Sequence, residues 1–366
     1  MRTEAAISRA GVSVPVLEPV DLEAPRAGEV LIRIIASGIC HTDLGVHAGR
    51  GPGTPLPAVL GHEGAGVVAD IGPGVTTLAV GDHVVLSGSS CGQCPSCRRN
   101  FPSYCREAMP RNFGAQRMDG SSALSQNGGR LGGHFFGQSS FARHALANER
   151  TAVKVAADLP LERLGPLGCG VITGAGAILF SLGVTAGQSV AVFGTGGVGL
   201  SAVMAARLVG ARDIIAIDRI TSRLQLAREL GATHTLDAAA PDIAQQIIEI
   251  TRGGVDRSLN TTRAPAVFTT AMQCLAMQGV AGFVAAPGGE WQPAMFPMLA
   301  GGRRLQGILG GDAAPQSVIP VLIDYHRQGR LPFDRLLRFY DFEDIGAAFQ
   351  DMEHGEVIKP VLRMSA

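Results

Sequence analysis

A glycine pattern sets the tightest limit on what this chain can build. Gly194, Gly196 and Gly199 form G-x-G-x-x-G directly after the apolar run 190–193, at the start of a helix-like stretch over 197–209. Such a turn bends tightly at its first glycine, lets the backbone approach a pyrophosphate at its second and packs helix on strand at its third. The helix N-terminus at Gly197 and Val198 then offers free amides and a partial positive charge to phosphate. A Gly-rich turn without a ligand is the other reading; the flanking strand and helix favour the dinucleotide. Asp218 closes the next strand, 19 positions after Gly199, where a carboxylate can accept from both ribose hydroxyls and favour NAD. Arg219 and Arg223 beside it leave NADP open.

Around this turn strand-like runs alternate with helical ones, at 189–193, 214–218, 233–236, 255–259, 280–286 and 304–309. Leu224, Leu226, Ala227 and Leu230 make one apolar side of a helix, and 243–250 carries a similar stripe. Six strands joined by crossovers predict a parallel, doubly wound sheet covered on both faces. The first 155 or so residues differ: short β-branched runs at 31–36 and 66–69 end in turn residues, and the region reads as β-rich. Residues 111–133 show little periodicity and predict a long loop, a lid or subunit contact. The tail from 317 predicts a helix and a strand around Val361 that rejoins the first domain.

At 366 residues the chain is long enough for two domains. Basic and acidic residues balance at 31 each, so no excess positive charge is available for a nucleic-acid backbone. No apolar run approaches the roughly 20 residues of a membrane span, and the N-terminus carries no export pattern. A cytoplasmic location follows as the expectation. Thiols stay reduced there, so spaced cysteines point to metal or catalysis more readily than to disulfides.

Cys91, Cys94, Cys97 and Cys105 are spaced C-x2-C-x2-C-x7-C. Four thiolates on one loop suit a closed tetrahedral zinc site without an open position; disulfides and an iron-sulfur cluster are the other readings. Cys40, His62 and Cys169 are dispersed, and spacing alone does not join them.

The motifs Gly61-His62-Glu63-Gly64-Ala65-Gly66, Gly168-Cys169-Gly170, the four-cysteine loop and the glycine turn together resemble the zinc-containing alcohol dehydrogenases of the medium-chain family, nearly end to end. The runs 135–141 and 165–170 are most similar to bacterial aryl and allylic alcohol dehydrogenases, the benzyl alcohol and geraniol type. The resemblance implies an α/β fold: a GroES-like catalytic domain (1–170 and 310–366), a Rossmann domain (171–309), and the active site in the cleft between them. It implies NAD and two zinc ions, one structural at 91–105 and one catalytic on Cys40, His62 and Cys169. Asp43 would accept from His62, Glu63 would lie in the outer shell or bind transiently, and Thr42 would pass the alcohol proton towards the nicotinamide ribose.

Gly45 stands where well-known relatives offer a histidine, and His47 is an alternative acceptor. His41 and Lys359 would meet the pyrophosphate. Thr261, Thr262, Val284 and Ala286 fall at strand ends on the cofactor side. Ser87, Phe135, Phe136, Leu309 and Ala286 would line the substrate pocket, which suits a flat apolar alcohol; filling the core is the other reading of the aromatics. Small alcohols and aldehydes are the expected partners, in a homodimer or homotetramer. A glutathione-adduct formaldehyde dehydrogenase and a zinc-stabilised binding protein are the competing functions.

Overall fold

The computed structural model describes residues 1–364. The chain divides into two compact units, one of Met1–Cys169, Ala314–Val321 and Asp334–Ala366, the other of Gly170–Ala313 and Leu322–Phe333. The division comes a few residues after the 309/310 boundary read from sequence, and 322–333 falls with the second unit.

The second unit is built on one six-stranded sheet. Its strands are, in chain order, Ser189–Phe193, Asp213–Asp218, His234–Asp237, Val255–Asn260, Leu275–Phe283 and Arg304–Gly307. All neighbours pair in parallel, and the spatial order is 3-2-1-4-5-6. This is the doubly wound order, whose direction reverses between the first and fourth strands. Every residue of Ser189–Phe193 is buried, as a strand covered on both faces must be. The helix Gly197–Leu208 that follows buries eight residues, from Gly199 to Ala206, so its composition is apolar nearly all round.

The first unit is β-rich. A seven-stranded sheet runs Ala152–Val155, His83–Leu86, Glu63–Ile71, Glu29–Gly38, Lys359–Arg363 and Leu337–Asp341, with His144–Asn148 also on Glu29–Gly38. The C-terminal strand enters antiparallel with Val361 opposite Gly38, which carries the tail into this sheet. A five-stranded sheet of Ala58–Val59, Arg2–Ser8, Val16–Leu22, Leu124–Gln126 and Gly129–Leu131 completes the unit. Ile7, Ile32, Ile34, Phe135, Phe141 and Phe342 form its core.

One expectation is corrected here. Residues 111–133 are not a structureless loop: helix Ala108–Phe113 ends within them, and Leu124–Gln126 and Gly129–Leu131 form a hairpin that extends a sheet. The turn is Asn127-Gly128, both with positive φ, as a two-residue hairpin requires. Arg117 ties the segment down through Glu29 and Glu23.

Candidate active site

Cys40 precedes the short helix His41–His47, and Asp43 in its first turn is wholly buried. Asp43 Oδ2 accepts the Cys40 N–H at 2.9 Å, while Oδ1 accepts the Gly61 N–H at 3.1 Å and His62 Nδ1 at 3.0 Å. One carboxylate therefore fixes two separate stretches of chain and the tilt of an imidazole. His62 Nε2 is buried without a hydrogen bond, an arrangement that is costly unless a donor or a metal ion faces it.

Cys169 is brought to the same place by the tight turn Gly165–Gly168, which lies against the strand His83–Leu86: a Cβ on Gly168 would sit 2.0 Å from the Leu86 carbonyl oxygen. The candidate ligand atoms of Cys40, His62, Glu63 and Cys169 all lie within 4.8 Å of one another. Two thiols, an imidazole with an orphaned nitrogen and a carboxylate are a donor set that suits zinc.

The four groups shift one another's protonation. Hydrogen bonding with Cys169 holds the Cys40 thiol well below its ordinary range against the pull of burial, while the same pairing pushes Cys169 up. Burial disfavours charge on His62, but Asp43 and Cys40 outweigh it and raise the imidazole. Burial lifts Glu63 to about 7, with Lys359 opposing.

Lys359 is a correction. It was expected to meet a pyrophosphate, yet its Nζ is buried and donates to the Ile39 carbonyl (3.0 Å) and to both oxygens of Glu63 (2.8 and 2.9 Å). All three ammonium donors are engaged, as a buried lysine needs them to be. His47 is a second correction: it is buried in the helix, with Nδ1 3.0 Å from the Ser8 hydroxyl and its ring edge-on to Phe349. That packing sets it in the core of the first unit. The Thr42 hydroxyl lies 3.8 Å from Cys40 Sγ. His41 is exposed at the start of the helix.

Of the expected substrate wall, Phe136 lies parallel to His62, with ring centroids 4.5 Å apart and planes at 26°. Phe135 is fully buried and edge-on to His62, so it fills the core, a third correction. Ser87 is nearly as buried, and its hydroxyl donates to Thr151 O. Leu309, in the second unit, is exposed. Two residues escaped the sequence reading. Phe113 meets both phenylalanines edge-on at 5.9 and 5.0 Å. Gln138 is buried; it donates to His62 O and Ser87 O and accepts from the Gly64 N–H. Gln138 stood within a quoted motif, but nothing in its type foretold this stapling.

The four-cysteine loop brings its sulfurs together, Cys94 to Cys97 at 3.5 Å and Cys91 to Cys97 at 3.9 Å. A tetrahedron of sulfurs about 2.3 Å from zinc has edges of roughly 3.8 Å. Backbone N–H groups of Cys91 and Glu107 point at Cys105 Sγ, and that of Cys94 at Cys91 Sγ. Backbone donors from Cys97 and Arg106 bring Cys94 down to about 6, whereas burial pushes Cys105 up to about 11.

In the second unit, Gly194 has φ +88°, and a Cβ there would come within 2.5 Å of Thr261 Oγ1. A Cβ on Gly199 would sit 1.8 Å from the Gly194 carbonyl oxygen, so helix and turn could not close on any larger residue. Nothing crowds the Cα of Gly196. Asp218 ends its strand with Oδ2 accepting from the Thr195 N–H (2.6 Å) and hydroxyl (2.8 Å), and Oδ1 from the N–H groups of Arg219 and Ile220. Burial alone would raise this carboxyl; the Thr195 and Ile220 donors and the Arg223 charge hold it below the ordinary range. Thr261 follows the fourth strand and bonds Phe193 O, at the point where strand order reverses. Val284 and Ala286 follow the fifth strand.

A family model described as "Zinc-binding dehydrogenase" matches residues 197–325, and one described as "Alcohol dehydrogenase GroES-like domain" matches residues 26–157. The sequence is 48% identical over 363 residues to a geraniol dehydrogenase of Castellaniella defragrans, covering 98% of this chain and 97% of that protein. An alcohol dehydrogenase zinc-binding domain protein from Burkholderia ambifaria has a solved structure that matches with TM-score 0.98 at 50% identity. A benzyl alcohol dehydrogenase from Acinetobacter calcoaceticus matches with TM-score 0.96 at 42% identity, and both matches cover 100% of each chain.

Proposed function

Because the chain belongs to the zinc-binding, medium-chain alcohol dehydrogenases with a GroES-like domain, we propose that it interconverts a primary aryl or allylic alcohol and its aldehyde with NAD. The observation that carries the substrate class is the Phe136 ring lying parallel to His62, with Phe113 behind it. An aromatic face beside the ligand cluster favours a flat, unsaturated carbon skeleton next to the hydroxyl. The relatives named for geraniol and benzyl alcohol support the same class. A charged glutathione adduct would find little to pair with on such a wall.

Cys40, His62 and Cys169 would hold the catalytic zinc, and Cys91, Cys94, Cys97 and Cys105 the structural one. When bound, the catalytic zinc supplies a Lewis acid that makes an alcohol hydroxyl easier to deprotonate. NAD supplies the hydride acceptor. Asp43 keeps the His62 ring turned with Nε2 towards the metal position. Thr42 takes the hydroxyl proton and passes it on. Gly45, which has open space where a side chain would stand, leaves the final transfer to water. Lys359 balances the charge of Glu63 so that a second carboxylate can stay beside the thiols.

The second unit exposes Met295, Phe296 and Leu299 on the helix that precedes its edge strand Arg304–Gly307, which supports a homo-oligomer; light scattering reads this directly. The substrate is tested by steady-state kcat/KM with NAD for benzyl, cinnamyl, geranyl and ethyl alcohols. Aryl and allylic alcohols should exceed ethanol by on the order of a hundredfold, and Phe136→Ala should erase most of that margin. Equal rates across the panel would refute the substrate class.

A further inference from the structure

We propose that Thr195 is a positioning residue that sets which dinucleotide the second unit accepts, by tying the Asp218 carboxylate to the glycine turn. The inference rests on the reading of Asp218 as the ribose acceptor. Thr195 is the variable residue between Gly194 and Gly196, and it is completely buried. Nothing in the G-x-G-x-x-G pattern asks for a hydroxyl at this place.

Its N–H and its Oγ1–H both reach Asp218 Oδ2, at 2.6 and 2.8 Å, across 23 positions of sequence. Oδ1 is held by two successive N–H groups, of Arg219 at 2.7 Å and Ile220 at 3.0 Å. Two donors address each Asp218 oxygen, the Thr195 pair from one direction and the Arg219 and Ile220 pair from the other. Three of the donors are backbone and persist in any variant; the Thr195 hydroxyl is the one that sequence can remove. It belongs to the turn read as the pyrophosphate cradle, while Asp218 is read as the ribose acceptor. The bond therefore fixes the spacing between the two halves of the nucleotide site.

The consequence is a rigid anion at the ribose position. A held carboxylate meets the 2′-hydroxyl of NAD in place and repels the 2′-phosphate of NADP, because it cannot swing aside. Without the hydroxyl, Oδ2 keeps a single N–H and is held less firmly against the pull of Arg223, whose charge already acts on it. Arg219 and Arg223 are then better placed to accept a phosphate.

The test is calorimetric binding of NAD and of NADP, without alcohol, to the full-length zinc-loaded wild type and to Thr195→Val, Thr195→Ala and Thr195→Ser. Val replaces hydroxyl by methyl at nearly equal volume, Ala removes both groups should Val disturb packing, and Ser keeps the donor. The expected result is NAD affinity weakened about tenfold in Val and Ala, NADP affinity changed less than about threefold, and near wild-type values in Ser. A ratio of NADP to NAD affinities within about twofold of wild type in both Val and Ala overturns the inference, even if their melting temperatures fall. So does a Ser variant that behaves like Ala. A wild type that itself prefers NADP counts against the NAD reading, and Thr195 is still judged by the shift between wild type and variant.

Discussion

At Asp43 a single buried carboxylate joins the stretch carrying Cys40 to the stretch carrying His62, and accepts hydrogen bonds from both. Asp43→Asn keeps the shape but loses the charge that the imidazole leans on. Zinc at this site should bind about 10- to 100-fold more weakly, read by zinc retention against a graded chelator, with the four-cysteine zinc unaffected. Glu29 offers a pH signature. Burial pushes its carboxyl up, but His134, Arg117 and the Arg26 N–H outweigh that and hold it far below the usual glutamate range. A folded-state pKa below the unfolded one contributes stability that is full above the unfolded value and fades as pH falls. Glu29→Gln should cost about 2 kcal/mol near neutrality, and the gap in melting temperature between wild type and variant should close as pH drops from about 5 towards 3. A gap that does not change over this range would assign Glu29 no role in acid sensitivity. Single residues were also where the sequence was least legible. Lys359 was placed at the pyrophosphate by resemblance, because its partner Glu63 lies 296 positions away and nothing local announces the pair.

Elements were more legible, because periodicity reports burial directly. The six strands of the second unit stood out as apolar runs since both their faces are covered, and the glycine turn stood out because no other residue closes it. Gly199→Ala tests that necessity: its methyl meets the Gly194 carbonyl oxygen, so the turn must open. The variant should lose about 1–3 kcal/mol of stability and most of its NAD binding by calorimetry; binding at wild-type strength would show that the close approach is dispensable. The hairpin Leu124–Leu131 was missed although its Asn127-Gly128 turn is a strong local signal. Its strands are three residues each, too short for alternation to register, and the first owes its place to pairing with Val16–Leu22. The packing of Phe113 on Phe136 depends likewise on elements distant in sequence.

For the molecule as a whole, the doubly wound sheet was legible from alternation, and the family and its GroES-like domain from resemblance at the motifs. Among the described residues no helix is long and apolar enough to cross a membrane. What spacing could not supply was the convergence of Cys40, His62 and Cys169, which depends on the fold of the first unit; only family resemblance joined them. Their convergence with Glu63 within 4.8 Å is the feature on which the proposed chemistry stands. The most direct test is elemental zinc analysis of the purified protein beside Cys169→Ala, with alcohol oxidation measured on both. The account predicts about two zinc ions per chain in the wild type, about one in the variant, and oxidation lost with the missing ion. A wild type with one zinc, retained in full by Cys169→Ala, would contradict it.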